Sequence, residues 1–215
     1  LSFYIKINKG EMILNQKYNL IDFLRRYNND VEDMEFFKIL KHLPDLSEKG
    51  PWLAGGAVRR LLIGDPLTSD FDFFFHDEIQ LNEFAKALKD NGAKETAKTE
   101  HQITYSATIE DKPRIIQLIK INYYISPNEV LDSFDFTISQ FLYDGTNLYC
   151  GKHSLWDLAR RRLALHKLTF GVATMRRLIK YTKQGFTACA GVMQSILEAV
   201  VNDPKTINSD VQYLD

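Results

Sequence analysis

Residues 51–75, PWLAGGAVRRLLIGDPLTSDFDFFF, constrain the fold more than any other stretch of the chain. Two glycines interrupt an apolar run that should continue into a core. Two aspartates, Asp70 and Asp72, then stand among four phenylalanines. Carboxylates avoid burial, and Gly-Gly gives up side-chain packing, so both features need a compensating partner. Trp52–Ala54 reads as a short buried strand, Gly55-Gly56 as a tight turn, 57–63 as a short helix ending at Gly64, and 69–75 as a second strand. Alternate side chains of a strand share a face. Asp70, Asp72 and Phe74 therefore point one way, while Phe71, Phe73 and Phe75 point the other and anchor the strand in the core.

The two carboxylates stand about 7 Å apart at Cα, close enough to reach one cation pair. Mg²⁺ (or Mn²⁺) suits them, because it takes one or two carboxylates together with waters and substrate phosphates. Such metals activate an attacking hydroxyl and neutralise a leaving pyrophosphate. Gly55 and Gly56 then have a purpose, since they let backbone approach a phosphate at a helix N-terminus. Arg59, one turn into that helix, adds a charge-assisted contact to the same anion. Asp-x-Asp alone is a weak signal. Preceded by Gly-Gly and thirteen intervening residues on a strand–turn–helix–strand pattern, it is specific.

Elsewhere, 17–30 and 31–43 read as helices, and 81–89 as a helix closed by Asn91-Gly92. Residues 103–109 and 114–121 read as paired strands, 134–143 as another strand, and the chain from 155 onward as mostly helical, broken near 166–169 and at Gly185. Helices, then a mixed sheet, then helices make an α+β fold. With 215 residues, 45% of them hydrophobic and 26% charged, the chain supports one good core and a smaller helical appendage. No apolar run approaches a membrane span. The N-terminus, LSFYIKINKG, lacks a signal-peptide pattern and a starting Met, as expected of a trimmed chain. Cys150 and Cys189 have no metal-type spacing, and the expected compartment is the cytoplasm.

The formal net charge of −1 hides an asymmetry. Residues 152–183 hold nine Lys and Arg against one acid, Asp157. A field of this kind suits a polyanion such as nucleic acid or a nucleoside triphosphate, and equally describes a solvated helix face. The five histidines show no ligand spacing, and neither a Walker-type loop, a nucleophile elbow nor a zinc motif competes.

LAGGAVRRLLIG…SDFDFFF resembles the signature of the DNA polymerase β-type nucleotidyltransferase superfamily, within it most nearly the head and neck of class II CCA-adding enzymes and bacterial poly(A) polymerases. DFTISQFLYDG at 135–145, LWDLARRRLALH at 155–166 and TMRRLIKYTKQGF at 174–186 resemble further motifs, in family order. The resemblance implies that Asp70 and Asp72 hold the catalytic metals and that Gly55, Gly56 and Arg59 hold the triphosphate. It also implies Asp135 as a third catalytic residue, near the sugar and within reach of the metals, Asp157 and Arg160 as the pair that reads the base edge, and Arg176 and Arg177 on a neck helix that meets phosphate or RNA. The implied division is an N-terminal helical segment over 1–50, a head over 51–168 and a neck over 169–215 with a truncated body.

Several positions depart from the pattern. Arg60 stands where the family usually has Asp, Trp156 replaces a Glu of the base-selecting element, and Ser133-Phe134 replaces a basic pair. Gln117 occupies a strand position where the superfamily often has a third carboxylate; a neutral amide cannot take a proton from the attacking hydroxyl. Trp156 is also the aromatic best placed to stack a base. The expected activity is metal-dependent transfer of a nucleotide monophosphate from an NTP, with CTP or ATP favoured, to the 3′ end of an RNA such as tRNA. Nucleotidylation of a protein or small molecule, and non-catalytic nucleotide or RNA binding, are the alternatives.

Overall fold

In a computed structural model, which describes residues 15–27, 30–168 and 170–202, the strand-forming runs pair into one large mixed sheet. The elements are β1 (Gln16–Asn19), α1 (Leu20–Arg25), α2 (Glu35–Leu40), β2 (Trp52–Ala54), α3 (Gly56–Ile63), β3 (Phe71–Phe74), α4 (Glu78–Asp90), β4 (Lys94–Lys98), β5 (Gln102–Ile109), β6 (Lys112–Ile119), α5 (Pro127–Asp132), β7 (Phe141–Tyr143), β8 (Asn147–Cys150), α6 (Ser154–Ala159), β9 (Arg162–Leu163), α7 (Gly171–Lys183), β10 (Thr187–Ala188) and α8 (Ala190–Asn202). Eight strands run in the order β1-β8-β7-β2-β3-β6-β5-β4, and β9 pairs separately with β10. Only β3 and β6 run parallel within the large sheet. The expected α+β class is the observed one.

Local chemistry sets the element ends. The Asn19 and Asp77 side chains accept the N–H groups of Asp22 and Gln80, capping α1 and α4. Ser126 caps α5, with Pro127 in its first turn. The alternation expected in β3 holds: Phe71, Phe73 and Phe75 enter the main core, while Phe74 joins Trp52, Ala54, Leu142 and Tyr149 in a second cluster. These large apolar side chains, each worth about 1.5–3 kcal/mol when fully buried, hold β2 and β3 in register against the sheet.

Four expectations need correction. The helix expected over 17–30 begins only at Leu20, because Gln16–Asn19 pairs antiparallel with β8 and so joins the sheet. The helix expected over 31–43 shrinks to a 3-10 turn at Val31–Asp33 followed by α2. The strand expected over 134–143 survives only as β7. Thr137–Ser139 forms a 3-10 turn, because Thr137 turns its hydroxyl to Asp157 and Ser139 meets the Tyr181 hydroxyl at 2.9 Å. The C-terminal part is less continuously helical than expected, being cut by β9 and β10. Strands β4 and β8 carry no expectation at all. Among the described residues, no helix is long and apolar enough to cross a membrane.

Candidate active site

The chain leaves β2 through Gly55, whose φ of +81° and ψ of −126° are open only to glycine. A Cβ there would meet the Phe134 ring at 3.6 Å and Asp72 Oδ2 at 3.8 Å, ordinary contact distances, so the backbone conformation is what calls for glycine. Gly56 is the tighter position, its would-be Cβ standing 3.2 Å from Ser69 Cβ and 3.3 Å from Ser69 Oγ. No side chain caps α3, so the N–H groups of its first turn stay available to an anion. Ser69 Oγ, beside that turn, is buried without a partner. Sequence reasoning passed Ser69 over, although it directly precedes Asp70.

Asp72 sits within β3, opposite Ala54 on one side and Gln117 on the other. Asp70 precedes the strand by one residue, and Gln117 Nε2 donates to Asp70 Oδ2 at 2.9 Å. Asp72 shows part of its surface, yet its Oδ1 is sealed from solvent and accepts no hydrogen bond. Burial, reinforced by the neighbouring Asp70 charge, pushes the Asp72 carboxyl up to about 7, with Lys180 and Arg177 of α7 pulling the other way. Burial raises Asp70 too, against Lys180. Two half-hidden carboxylates with an orphaned oxygen are the donor set that a hard divalent cation completes. Among the described residues no third His, Cys, Asp or Glu joins them.

The remaining expected residues have contacts of their own, Asp135 with Arg177, which also acts on Asp72. Arg59 is 2% exposed and reaches from α3 to the C-terminal end of α7. Its Nη2 donates to Gln184 Oε1 at 3.1 Å, its guanidinium lies over the Tyr181 ring at 4.7 Å, and its buried Nη1 has no partner. Asp135 is 7% exposed and bound to α7: Oδ2 accepts from Arg177 Nη1 at 2.7 Å and from Thr174 Oγ1 at 3.1 Å, and Oδ1 accepts the Phe136 N–H. Asp157 and Arg160 are not brought together as a pair. Asp157 is buried, accepts from Thr137 Oγ1 at 2.7 Å and faces Arg162 at 3.8 Å. Arg160 instead covers the ring of Trp156, which is 54% exposed, at 3.6 Å from its centroid. Arg60, at the departure from the family pattern, turns to the Pro66 carbonyl.

Arg176 is exposed on α7, whose buried side is Thr174, Leu178 and Tyr181. Lys180 and Lys183 continue its stripe at helical spacing, and Lys180 carries that stripe's positive field to Asp70 and Asp72. All nine basic residues of 152–183 are exposed. Arg161 and Arg162 meet Asp65 and Asp157 only at 3.8 Å, so most of this charge stays free to act on a ligand.

Comparison with known proteins gives two positive findings. The sequence model described as "Gabija anti-defense 2 family protein" matches residues 14–161. Among solved structures, the chain is similar to a Thermotoga maritima CCA-adding enzyme complexed with tRNA, at 19% identity and a TM-score of 0.59, covering 86% of this chain and 46% of that one. It is also similar to a CCA-adding enzyme with CTP, at 19% identity and a TM-score of 0.57, and to one with ATP at the same identity and TM-score, each covering 86% of this chain and 45% of that one. The chain thus spans less than half the length of these enzymes, and at this identity the likeness is one of fold: the nucleotidyltransferase head. A comparison with curated proteins finds no match.

Proposed function

The chain belongs to the Gabija anti-defense 2 family, and we propose that it acts there as a metal-dependent nucleotidyltransferase that moves a nucleotide monophosphate from an NTP onto an acceptor hydroxyl of a Gabija defence component. The observation that carries this reading is the Asp70–Asp72 pair, two neighbouring carboxylates with an orphaned buried oxygen, beside an uncapped glycine turn. Asp70 and Asp72 would hold Mg²⁺ or Mn²⁺, which supplies charge neutralisation to the triphosphate and activates the attacking oxygen. Gly55, Gly56 and the first N–H groups of α3 cradle the phosphates, with the Ser69 hydroxyl as a further donor. Gln117 holds one oxygen of Asp70, which orients the other toward the reaction.

In this reading Asp135 and Arg59 are positioning residues. Both tie α7 to the head and so fix Lys180 near the carboxylates. Trp156 and Arg160 offer an exposed flat surface on which a base can stack, in place of the edge-reading pair. A head over 51–168 and a neck from 169 onward belong to the same proposal. A second reading, transfer to the 3′ end of an RNA such as tRNA, is favoured by the exposed basic stripe Arg176–Lys180–Lys183.

The test is incubation with each labelled NTP and Mg²⁺ or Mn²⁺, with purified Gabija components or total tRNA as acceptor, beside an Asp70→Ala/Asp72→Ala control. Label on a Gabija component, lost in the control, is expected. Label on tRNA selects the second reading. NTP binding without pyrophosphate release from any mixture refutes transfer.

A further inference from the structure

A cavity of about 330 Å³ opens beside Asp70, outside every motif that carried the family resemblance except at Ser69 and Asp70. Its walls come from the α3–β3 loop (Leu67, Thr68, Ser69, Asp70) and from the start of β6 (Lys112, Pro113, Arg114, Ile115). In the sheet order β2-β3-β6 the glycine turn follows β2 and the carboxylates belong to β3, while this cavity lies between the segment leading into β3 and the start of β6. It therefore adjoins the phosphate cradle through Ser69, which also walls the glycine turn, and the metal-holding pair through Asp70. An in-line displacement needs an acceptor held next to the reacting phosphorus, with its oxygen opposite the leaving group.

The lining says what enters. Leu67, Pro113 and Ile115 make an aliphatic wall, with Thr68 and Ser69 as small hydroxyl groups. Both cations are already taken: Glu35 Oε1 accepts from Lys112 Nζ at 2.8 Å and from Arg114 Nη2, and Arg114 Nη1 is spent on the Leu67 carbonyl. A nucleic-acid 3′ end brings a phosphate within one nucleotide of its reacting hydroxyl and needs a free cation there. Among the described residues, the cations without an acidic partner include Arg176, Lys180 and Lys183 on α7, none of which lines this cavity. The volume is at the low end of ligand pockets and fits one side chain.

The missing base points the same way. Gln117, on the same β6 face as Ile115, cannot take a proton, and both oxygens of Asp135 are occupied. A site that holds no third carboxylate among the described residues suits an acceptor whose O–H is itself acidic. A phenol, with a pKa of about 10, loses its proton far more readily than an aliphatic or ribose hydroxyl.

We infer that this cavity is the acceptor site and that it takes a tyrosine side chain of a protein, the ring lying against Pro113 and Ile115 with its oxygen toward Asp70. The inference rests on the transferase reading above. In the step, the tyrosine oxygen forms a bond to the α-phosphorus of the NTP, the bond from that phosphorus to the bridging oxygen breaks, pyrophosphate leaves, and the phenolic proton passes to solvent at the cavity mouth. The product is a tyrosyl phosphodiester.

The test uses the full chain with Mn²⁺ and each NTP. The acceptors are a blocked pentapeptide with one tyrosine, its serine, threonine and phenylalanine counterparts, and a short oligoribonucleotide with a free 3′ end. Mass spectrometry should show one added nucleotide monophosphate on the tyrosine peptide, formed at least ten times faster than on the others, with none on phenylalanine. Ile115 is exposed enough to accept change, so Ile115→Asp should raise the acceptor KM at least ten-fold while the affinity for a fluorescent ATP analogue stays at the wild-type value; Ile115→Leu should keep both. Label on the oligoribonucleotide alone, or tyrosine transfer indifferent to Ile115→Asp, overturns the tyrosine site and leaves the transferase reading standing. Absence of pyrophosphate release with every acceptor, while the ATP analogue still binds, removes the transferase reading and this inference with it.

Discussion

At the scale of single residues, Asp72 carries a conflict between stability and function. Its carboxyl is raised to about 7 by burial and by Asp70, whereas in the unfolded chain it titrates near the ordinary aspartate value of about 3.9. The folded state therefore holds a proton that the unfolded state releases. The stability that this proton contributes is complete below the unfolded value and is lost as pH rises through about 7, a loss on the order of 4 kcal/mol. Asp72→Asn, which stays neutral, should match the wild type in urea denaturation at pH 4, exceed it at pH 8 without divalent cations, and lose transfer altogether. Equal stability of the two proteins at pH 8 would show that the carboxylate is solvated after all. Asp70 and Asp72 were legible in the sequence because strand alternation and the glycine turn act over a few residues. The donor role of Gln117 was not: it depends on β6 lying parallel to β3, a pairing between segments 45 residues apart in the chain.

At the scale of elements, α7 is bound to the rest of the fold by a small set of polar contacts around Asp135, Arg59 and Tyr181. Arg177→Ala would leave the Asp135 carboxylate buried with only hydroxyl and backbone donors. Arg177 is half-exposed, so the cost is that of a partly solvated pair, about 1–3 kcal/mol. A double-mutant cycle with Asp135→Asn should return a coupling of at least about 1 kcal/mol in chemical denaturation. Additive effects would mean that the ion pair does not hold the helix. The sequence showed both residues and marked the helix, yet it linked Asp135 to sugar or metal. Alternating polar and apolar residues in DFTISQFLY read as a strand, and only the turn at Thr137–Ser139 swings the carboxylate toward α7.

At the scale of the whole molecule, the charge asymmetry resolves into an exposed stripe, Arg176, Lys180 and Lys183, of which Lys180 acts on both carboxylates. If polyanions bind there, replacing all three residues by Gln should lower the slope of log K against log salt for single-stranded RNA by about 2, measured by fluorescence anisotropy. An unchanged slope would exclude the stripe from the nucleic-acid face. A lowered slope with no RNA labelling fits a protein acceptor, with α7 meeting acidic surface instead.

The sequence by itself determined the α+β class, the strand–turn–helix–strand unit from Trp52 to Phe74, and the carboxylate pair within it. These follow from side-chain alternation, glycine conformational freedom and helix periodicity, all of which act between near neighbours. Only the tertiary structure decided that Arg59 packs against aromatic rings, that Asp157 and Arg160 part company, that Gln16–Asn19 completes the sheet edge, and that a cavity lies between Ser69 and Ile115. Each of these is set by which distant segment supplies the partner for a buried polar or apolar group, and that choice is made by packing the whole chain at once.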